Sequence, residues 1–192
     1  MNRISLVYFD SSIWLSYLLQ DRHYLDAEKS LKRIEEGDDI ALISSLIMLE
    51  IIEVIRKRIT ENESYVGLTA DVKQKIKTSI DEKTREFIDK VTKLVAQGKA
   101  EIRNPEEPLE GYLKETLALF SPNFGEISEF DYCFICNRKT NMRYRYRGLG
   151  HYDMQHAMNA KDCHAKEIVS VDKAFSQLRN IQEFNSLKVT VL

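Results

Sequence analysis

Near its amino terminus the chain reads Leu6-Val7-Tyr8-Phe9-Asp10-Ser11-Ser12, four apolar residues followed by an acid and two serines. A short, continuous apolar run is typical of a strand that is buried on both faces of a parallel sheet. The Asp-Ser-Ser sequence is suited to cap a helix, and apolar residues from Ile13 to Leu18 follow at helical spacing. We therefore predict a central strand that leads directly into a helix.

The alternation of strand and helix continues along the chain. A helical pattern over 24–36 ends at Gly37, a buried strand follows at 40–43, and Ser45 opens another helix. Toward the carboxyl terminus, strands are predicted at 167–171 and 187–192, with a helix near 173–178 between them. This order predicts an α/β protein, a three-layer α/β/α sandwich with a central parallel sheet.

The middle of the chain differs in composition. Residues 70–97 form a Lys- and Glu-rich amphipathic helix that Gly98 closes, and a short strand at 100–103 and a helix at 109–120 follow. We expect one domain over 1–192, with a mainly helical and basic insertion at about 60–150. The apolar face of the long helix is expected to pack on its own domain, with a partner surface as the alternative.

Composition limits the function classes. The chain has 192 residues, and its 28 Lys and Arg against 30 Asp and Glu give a net charge of −2, so nucleic-acid binding would need a local basic patch. Three cysteines are too few for a disulfide framework and favour a reducing, cytoplasmic location. Asp10 interrupts the apolar amino-terminal run, so neither a signal peptide nor a membrane span is expected.

Four acids are predicted at one end of the sheet. Asp10 and Asp172 each end a strand, Glu50 lies on the helix after the second strand, and Asp153 opens the helix before the Asp172 strand. The carboxyl ends of parallel strands form the ligand crevice of open sheets. Clustered carboxylates raise one another's pKa values unless a cation neutralises them, and Mg²⁺ or Mn²⁺ prefers oxygen ligands. No cluster of His and Cys marks this place, which disfavours zinc.

These acids lie in segments that resemble a known family. Residues 7–12, 44–50, 152–157 and 170–175 are similar to the four acidic motifs of PIN-domain ribonucleases, which include the toxins of many toxin-antitoxin pairs. The resemblance implies a metal-dependent endoribonuclease in which one or two Mg²⁺ or Mn²⁺ ions are held by four carboxylates. The implied ligands are Asp10, Glu50, Asp153 and Asp172, and Ser12 and Ser170 match supporting hydroxyls.

The resemblance also implies partners: an RNA substrate, an antitoxin protein and, through the inserted helix, a homodimer. Two features depart from the family. Ser170 stands where the family commonly has Thr, and the insertion is longer than a compact toxin needs. The identity of the substrate and of any antitoxin is therefore left open.

A basic, tyrosine-containing stretch follows residue 137. Such a stretch is suited to phosphate contacts and base stacking, and equally to a solvated loop or an antitoxin-facing surface. The candidate RNA-binding residues are Arg138, Lys139, Arg143, Arg145 and Arg147.

Several residues allow structural interpretations. Each acid alone could serve as a helix cap, a helix-dipole partner or an exposed residue. Cys133 and Cys136, with Cys163, allow a zinc site, although small buried thiols are the preferred interpretation. His156, like His151, flanks Asp153 and is able to pair with a carboxylate or a phosphate, but an exposed or structural histidine is the preferred interpretation.

Two other functions remain alternatives. A phosphatase of the haloacid dehalogenase type also places an aspartate after the first strand, but it normally has a second aspartate where this chain has Ser12. A module that binds RNA or protein without cleavage would use the basic stretch and would have no use for an acidic crevice. We therefore predict a nuclease first.

Overall fold

The structure is a computed structural model, and it describes residues 4–60, 69–104 and 149–192. The strands are β1 (Leu6–Phe9), β2 (Ile40–Ile43), β3 (Ala100–Ile102), β4 (Glu167–Ser170) and β5 (Lys188–Val191). The α-helices are α1 (Ser11–Leu19), α2 (Tyr24–Glu36), α3 (Ser45–Thr60), α4 (Ala70–Ala96) and α5 (His151–Asp162). Two 3₁₀-helices, Lys173–Asn180 and Gln182–Phe184, lie between β4 and β5.

The strands in the described ranges form one parallel sheet in the order β3-β2-β1-β4-β5. The predicted central strand, β1, pairs with a strand on each side, Val7 aligning with Ala41 of β2 and with Glu167 of β4. Its last three residues, Val7, Tyr8 and Phe9, are fully buried, as the apolar run predicts.

Helices cover both faces of the sheet. Successive strand residues point to opposite faces. Phe9 meets Trp14 of α1 edge-on, and Trp14 in turn meets Phe87 of α4, whereas the Tyr8 hydroxyl bonds to His156 of α5. The predicted three-layer α/β/α sandwich with a central parallel sheet is confirmed.

Part of the predicted insertion belongs to this sandwich. Helix α4 packs against α1 and α3, and β3 pairs with β2, Ala100 aligning with Ala41. The extent of the insertion beyond β3 stays a prediction, because the predicted helix at 109–120, the basic stretch and Cys133 and Cys136 lie outside the described residues.

The segment after β4 is a 3₁₀-helix rather than the ordinary helix expected near 173–178. A 3₁₀-helix has three residues per turn, so side chains three apart share a face. Every third residue from here to the start of β5 is buried, and this period of three favours the 3₁₀ form. The buried residues are Phe175, Leu178, Ile181, Phe184 and Leu187.

Candidate metal centre

Asp10 lies where β1 ends and α1 begins, and its side chain is almost fully buried, with 4% of the residue exposed. Its Oδ2 accepts a hydrogen bond from the Ser12 backbone N–H at 3.4 Å, so the acid caps α1 as its sequence context predicts. The same oxygen accepts the Ser170 hydroxyl at 3.0 Å. Asp10 is therefore fixed from both α1 and β4.

Ser12 and Ser170 connect the ends of these two strands. Their hydroxyl oxygens are 3.2 Å apart, and Ser12 Oγ accepts the Val171 N–H at 3.2 Å. Ser170 is fully buried, and its Oγ accepts the Asp172 N–H at 2.9 Å while its hydroxyl donates to Asp10. One serine thus sets the relative positions of Asp10 and Asp172.

Glu50 reaches Asp10 through a histidine. On α3, Glu50 Oε2 lies 2.5 Å from His156 Nε2 of α5, and the same nitrogen is 3.7 Å from Asp10 Oδ1. One candidate ligand atom from each of the three residues lies within 4.8 Å of the others. We call Asp10, Glu50 and His156 the ligand group.

A buried tyrosine holds the histidine. The Tyr8 hydroxyl lies 2.8 Å from His156 Nδ1 and 3.0 Å from Ser44 Oγ. From the sequence, Tyr8 is predicted only as part of an apolar run, and its contact with His156 is not predicted. The signal was its phenol group, because a buried hydroxyl requires a hydrogen-bond partner.

Asp153 and Asp172 lie at the same end of the sheet, outside the ligand group. Helix α5 begins two residues before Asp153, whose Oδ2 accepts the Gly150 N–H at 2.5 Å. A Cβ at Gly150 would lie 3.1 Å from that oxygen, so glycine permits the close approach. Asp172 is exposed and caps the first 3₁₀-helix, accepting the Ala174 N–H at 2.8 Å.

The charges of these acids affect one another. Burial raises the pKa of Asp153 to about 6, and the charges of Asp10 and Asp172 add to the effect, against the Gly150 hydrogen bond and His156. Asp153 is therefore within electrostatic reach of the other acids, as the predicted clustering requires.

His156 interacts with two of these acids, Glu50 and Asp10. Burial alone lowers its pKa, but its hydrogen bond with Glu50 and the charges of Asp10 and Glu50 leave the pKa of His156 above its ordinary value. Burial likewise raises the pKa of Glu50, and the bond and charge of His156 outweigh it, leaving the pKa lowered. Sequence reasoning preferred an exposed or structural histidine at 156 and gave carboxylate pairing as the alternative. The structure shows the pairing with Glu50, and His156 is buried rather than exposed.

No lysine or arginine in the described ranges forms an ion pair with any of the four predicted acids. The capping interpretations hold for Asp10 and Asp172, and within the described residues these two acids have no lysine or arginine partner. Carboxylate oxygens and one imidazole nitrogen form a donor set suited to a divalent cation.

Other predicted residues give less information. Arg138, Lys139, Arg143, Arg145 and Arg147 lie outside the described residues. Cys163 is a free, buried thiol, and burial raises its pKa, as expected for a structural cysteine. In the described part of the chain, no helix is long and apolar enough to cross a membrane.

Comparison with known proteins gives a distant likeness to solved structures. No family model and no curated protein matches the chain. Among solved structures, the chain is similar to VapBC2 from Rickettsia felis, crystallised with a DNA fragment from its promoter. The two are 15% identical with a TM-score of 0.45, and the match covers 97% of this chain and 98% of that chain.

Proposed function

We propose that the chain is an endoribonuclease that hydrolyses RNA phosphodiester bonds with a bound Mg²⁺ or Mn²⁺. The observation that carries the proposal is the ligand group at the carboxyl end of the sheet. Asp10 and Glu50 place carboxylate oxygens beside each other there, without a described lysine or arginine to neutralise them. A divalent cation would supply the missing positive charge.

The residues present fit such a cation. Asp10 and Glu50 offer the hard oxygen atoms that Mg²⁺ and Mn²⁺ bind, and Asp153 and Asp172 add negative charge within electrostatic reach. Bound there, the cation would lower the pKa of a water molecule and stabilise charge on the leaving oxygen of a phosphodiester.

The protein's own part is to hold the acids in place. Ser170 and Ser12 fix Asp10 and the start of the Asp172 loop, and Tyr8 fixes the imidazole beside Glu50. The basic stretch that begins at Arg138 is our proposed contact with RNA phosphates. An antitoxin protein is a further proposed partner, through this stretch or through the face of α4.

The test is cleavage of a panel of single-stranded RNAs with Mg²⁺, Mn²⁺ or EDTA. Asp10→Asn keeps the shape of the cap and removes the charge, so we expect cleavage to fall by about 100-fold or more. The matched control is Asp89→Asn, which changes an exposed acid on α4 and should cleave like the unmodified protein. Equal activity in Asp10→Asn and the unmodified protein would contradict the proposal.

RNA binding and phosphomonoester hydrolysis, measured on the same protein, separate the alternative functions. RNA that binds equally with and without EDTA and is never cut would favour a binding module. Release of phosphate from a small phosphomonoester, without RNA cleavage, would favour the phosphatase. Against the phosphatase, Ser12 holds the position of the second aspartate and its hydroxyl is engaged with Ser170 and Val171.

A further inference from the structure

His156 lies inside the acidic group that is proposed above to bind a cation. We propose that its Nε2 is itself a ligand of that cation, together with Asp10 and Glu50, and that the site therefore binds Mn²⁺ in preference to Mg²⁺. This inference rests on the proposed function, because it concerns the same cation. It departs from the four-carboxylate site that the resemblance implies.

The spacing of the ligand atoms supports this assignment. Around an octahedral ion with bonds of about 2.1 Å, adjacent ligand atoms are about 3.0 Å apart and opposite ones about 4.2 Å. His156 Nε2 lies 2.5 Å from Glu50 Oε2 and 3.7 Å from Asp10 Oδ1, and the whole group fits within 4.8 Å. Small side-chain adjustments are therefore enough to match one coordination shell.

The imidazole is oriented as a ligand would be. Metal-binding histidines typically donate their second ring N–H to a fixed acceptor, which sets the tautomer and the ring plane. Here Nδ1 faces the Tyr8 hydroxyl at 2.8 Å, and that hydroxyl faces Ser44 Oγ at 3.0 Å. With Nδ1–H donating to Tyr8 and Tyr8 donating to Ser44, Nε2 is directed at the carboxylates, and cation binding would release to solvent the proton that Nε2 shares with Glu50.

Burial makes this orientation rigid. His156 and Ser44 are each 1% exposed and Tyr8 is fully buried, so the ring has little freedom to turn away. Glu50 is the more accessible member, with 28% of its side chain exposed, and it marks the side from which an ion can enter. The group thus combines one open carboxylate with two fixed donors.

A nitrogen ligand changes which ion is preferred. Mg²⁺ binds oxygen ligands almost exclusively and dehydrates reluctantly, whereas Mn²⁺, which also prefers oxygen, is a transition ion that accepts an imidazole nitrogen more readily than Mg²⁺ does. A site with one imidazole and two carboxylates should therefore discriminate against Mg²⁺. Of the two ions that the acidic motifs allow, this selects Mn²⁺.

The experiment uses the full chain loaded with Mn²⁺. Pulsed electron paramagnetic resonance should detect hyperfine coupling from one imidazole nitrogen, and the coupling should be absent in His156→Gln. Calorimetry should show that His156→Gln weakens Mn²⁺ binding by about 10-fold or more while Mg²⁺ binding changes much less. His23→Gln, at a histidine in the turn before α2, is the matched control and should leave both readouts unchanged.

Tyr8→Phe provides a second variant that preserves the packing of the core. It should keep the nitrogen coupling and weaken Mn²⁺ binding by about 10-fold, because the ring loses its fixed partner. If His156→Gln does not fold, the spectrum of the unmodified protein and the Tyr8→Phe affinity decide the question.

Failure of the histidine ligand and failure of the proposed function would give different results. Mn²⁺ that binds without nitrogen coupling, or an unchanged Mn²⁺ to Mg²⁺ preference in His156→Gln, would overturn the histidine ligand and leave the carboxylate site standing. Absence of any divalent-cation binding would overturn both this inference and the proposed function.

Discussion

At the edge of the sheet formed by the amino ends of the strands, which we call the paired edge, the buried acid Glu167 contacts two cations. At the edge formed by the carboxyl ends, which we call the acidic edge, the buried acid Asp10 lies near Glu50 and His156. Glu167 and Asp10 are each 4% exposed. Glu167 accepts hydrogen bonds from Arg33 at 2.8 Å and Thr190 at 2.5 Å, and Lys188 lies 3.0 Å away. Asp10 accepts hydrogen bonds from the hydroxyls of Ser11 and Ser170, and His156 Nε2 lies 3.7 Å away.

The pKa values of Glu167, at the paired edge, and Asp153, at the acidic edge, move in opposite directions. Burial raises the pKa of Glu167, but Arg33, Thr190 and Lys188 outweigh it and leave the pKa below its usual value. Burial and neighbouring acids leave the pKa of Asp153 raised to about 6. The charged form of Glu167 therefore stabilises the fold, whereas the charged form of Asp153 opposes it until a ligand supplies positive charge.

The largest expected effect is stabilisation by a cation at the acidic edge. Mn²⁺ at about 100 times its Kd should raise the free energy of unfolding by about 2.7 kcal/mol, and the Tm by several degrees. Thermal unfolding with Mn²⁺ and with EDTA measures the shift. Asp10→Asn should lose most of it, while Glu167→Gln, at the paired edge, should retain it. An equal shift in both variants would show that Mn²⁺ binds elsewhere.

The next effect is a gain of stability from removing one acid. In EDTA at pH 7, Asp153→Asn should raise the free energy of unfolding by on the order of 2 kcal/mol, because the charged carboxylate is unfavourable in the folded state. Urea unfolding measures it. A destabilised Asp153→Asn would mean that the Gly150 hydrogen bond outweighs the repulsion.

The gain of stability in Asp153→Asn should depend on pH. The folded pKa of Asp153, about 6, lies above the unfolded value, so the penalty is fully present above pH 6 and disappears as the acid becomes protonated. The gap between Asp153→Asn and the unmodified protein should therefore shrink as the pH falls from 6 toward 4. A gap that stays constant over this range would assign the gain to packing.

The two edges also differ in how far the sequence predicts them. Apolar runs ended by Asp10 and Asp172 are local signals, and they correctly predict strands whose carboxyl ends meet at one edge. The pairing of Glu167 with Arg33 joins residues 134 positions apart, and no local pattern announces it. Long-range ion pairs depend on how the sheet is assembled, so they appear only in the folded structure.

The same reasoning applies within the acidic edge. The order of strands and helices predicts that Asp10 and Glu50 approach each other, and the structure brings them together around one histidine. The position of His156, three residues after Asp153 on α5, places it on a similar helix face, but only the tertiary fold shows Tyr8 behind it. The sequence pattern thus predicts where the acids lie, and the tertiary packing determines which neighbouring residues complete the ligand group.

The smallest effect belongs to the paired edge, where Glu167→Gln should lower the free energy of unfolding by about 1–2 kcal/mol at pH 7. Because the folded pKa of Glu167 is lowered, its contribution is present above the unfolded pKa, about 4.3, and is lost as the pH falls through the folded value. Urea unfolding between pH 7 and pH 3 should show the gap closing in that range. Lys188→Gln should cost less than about 0.5 kcal/mol, since the Lys188 side chain is 68% exposed. If the two variants were equally destabilised, the buried Arg33 contact would not be what distinguishes this edge from the acidic one.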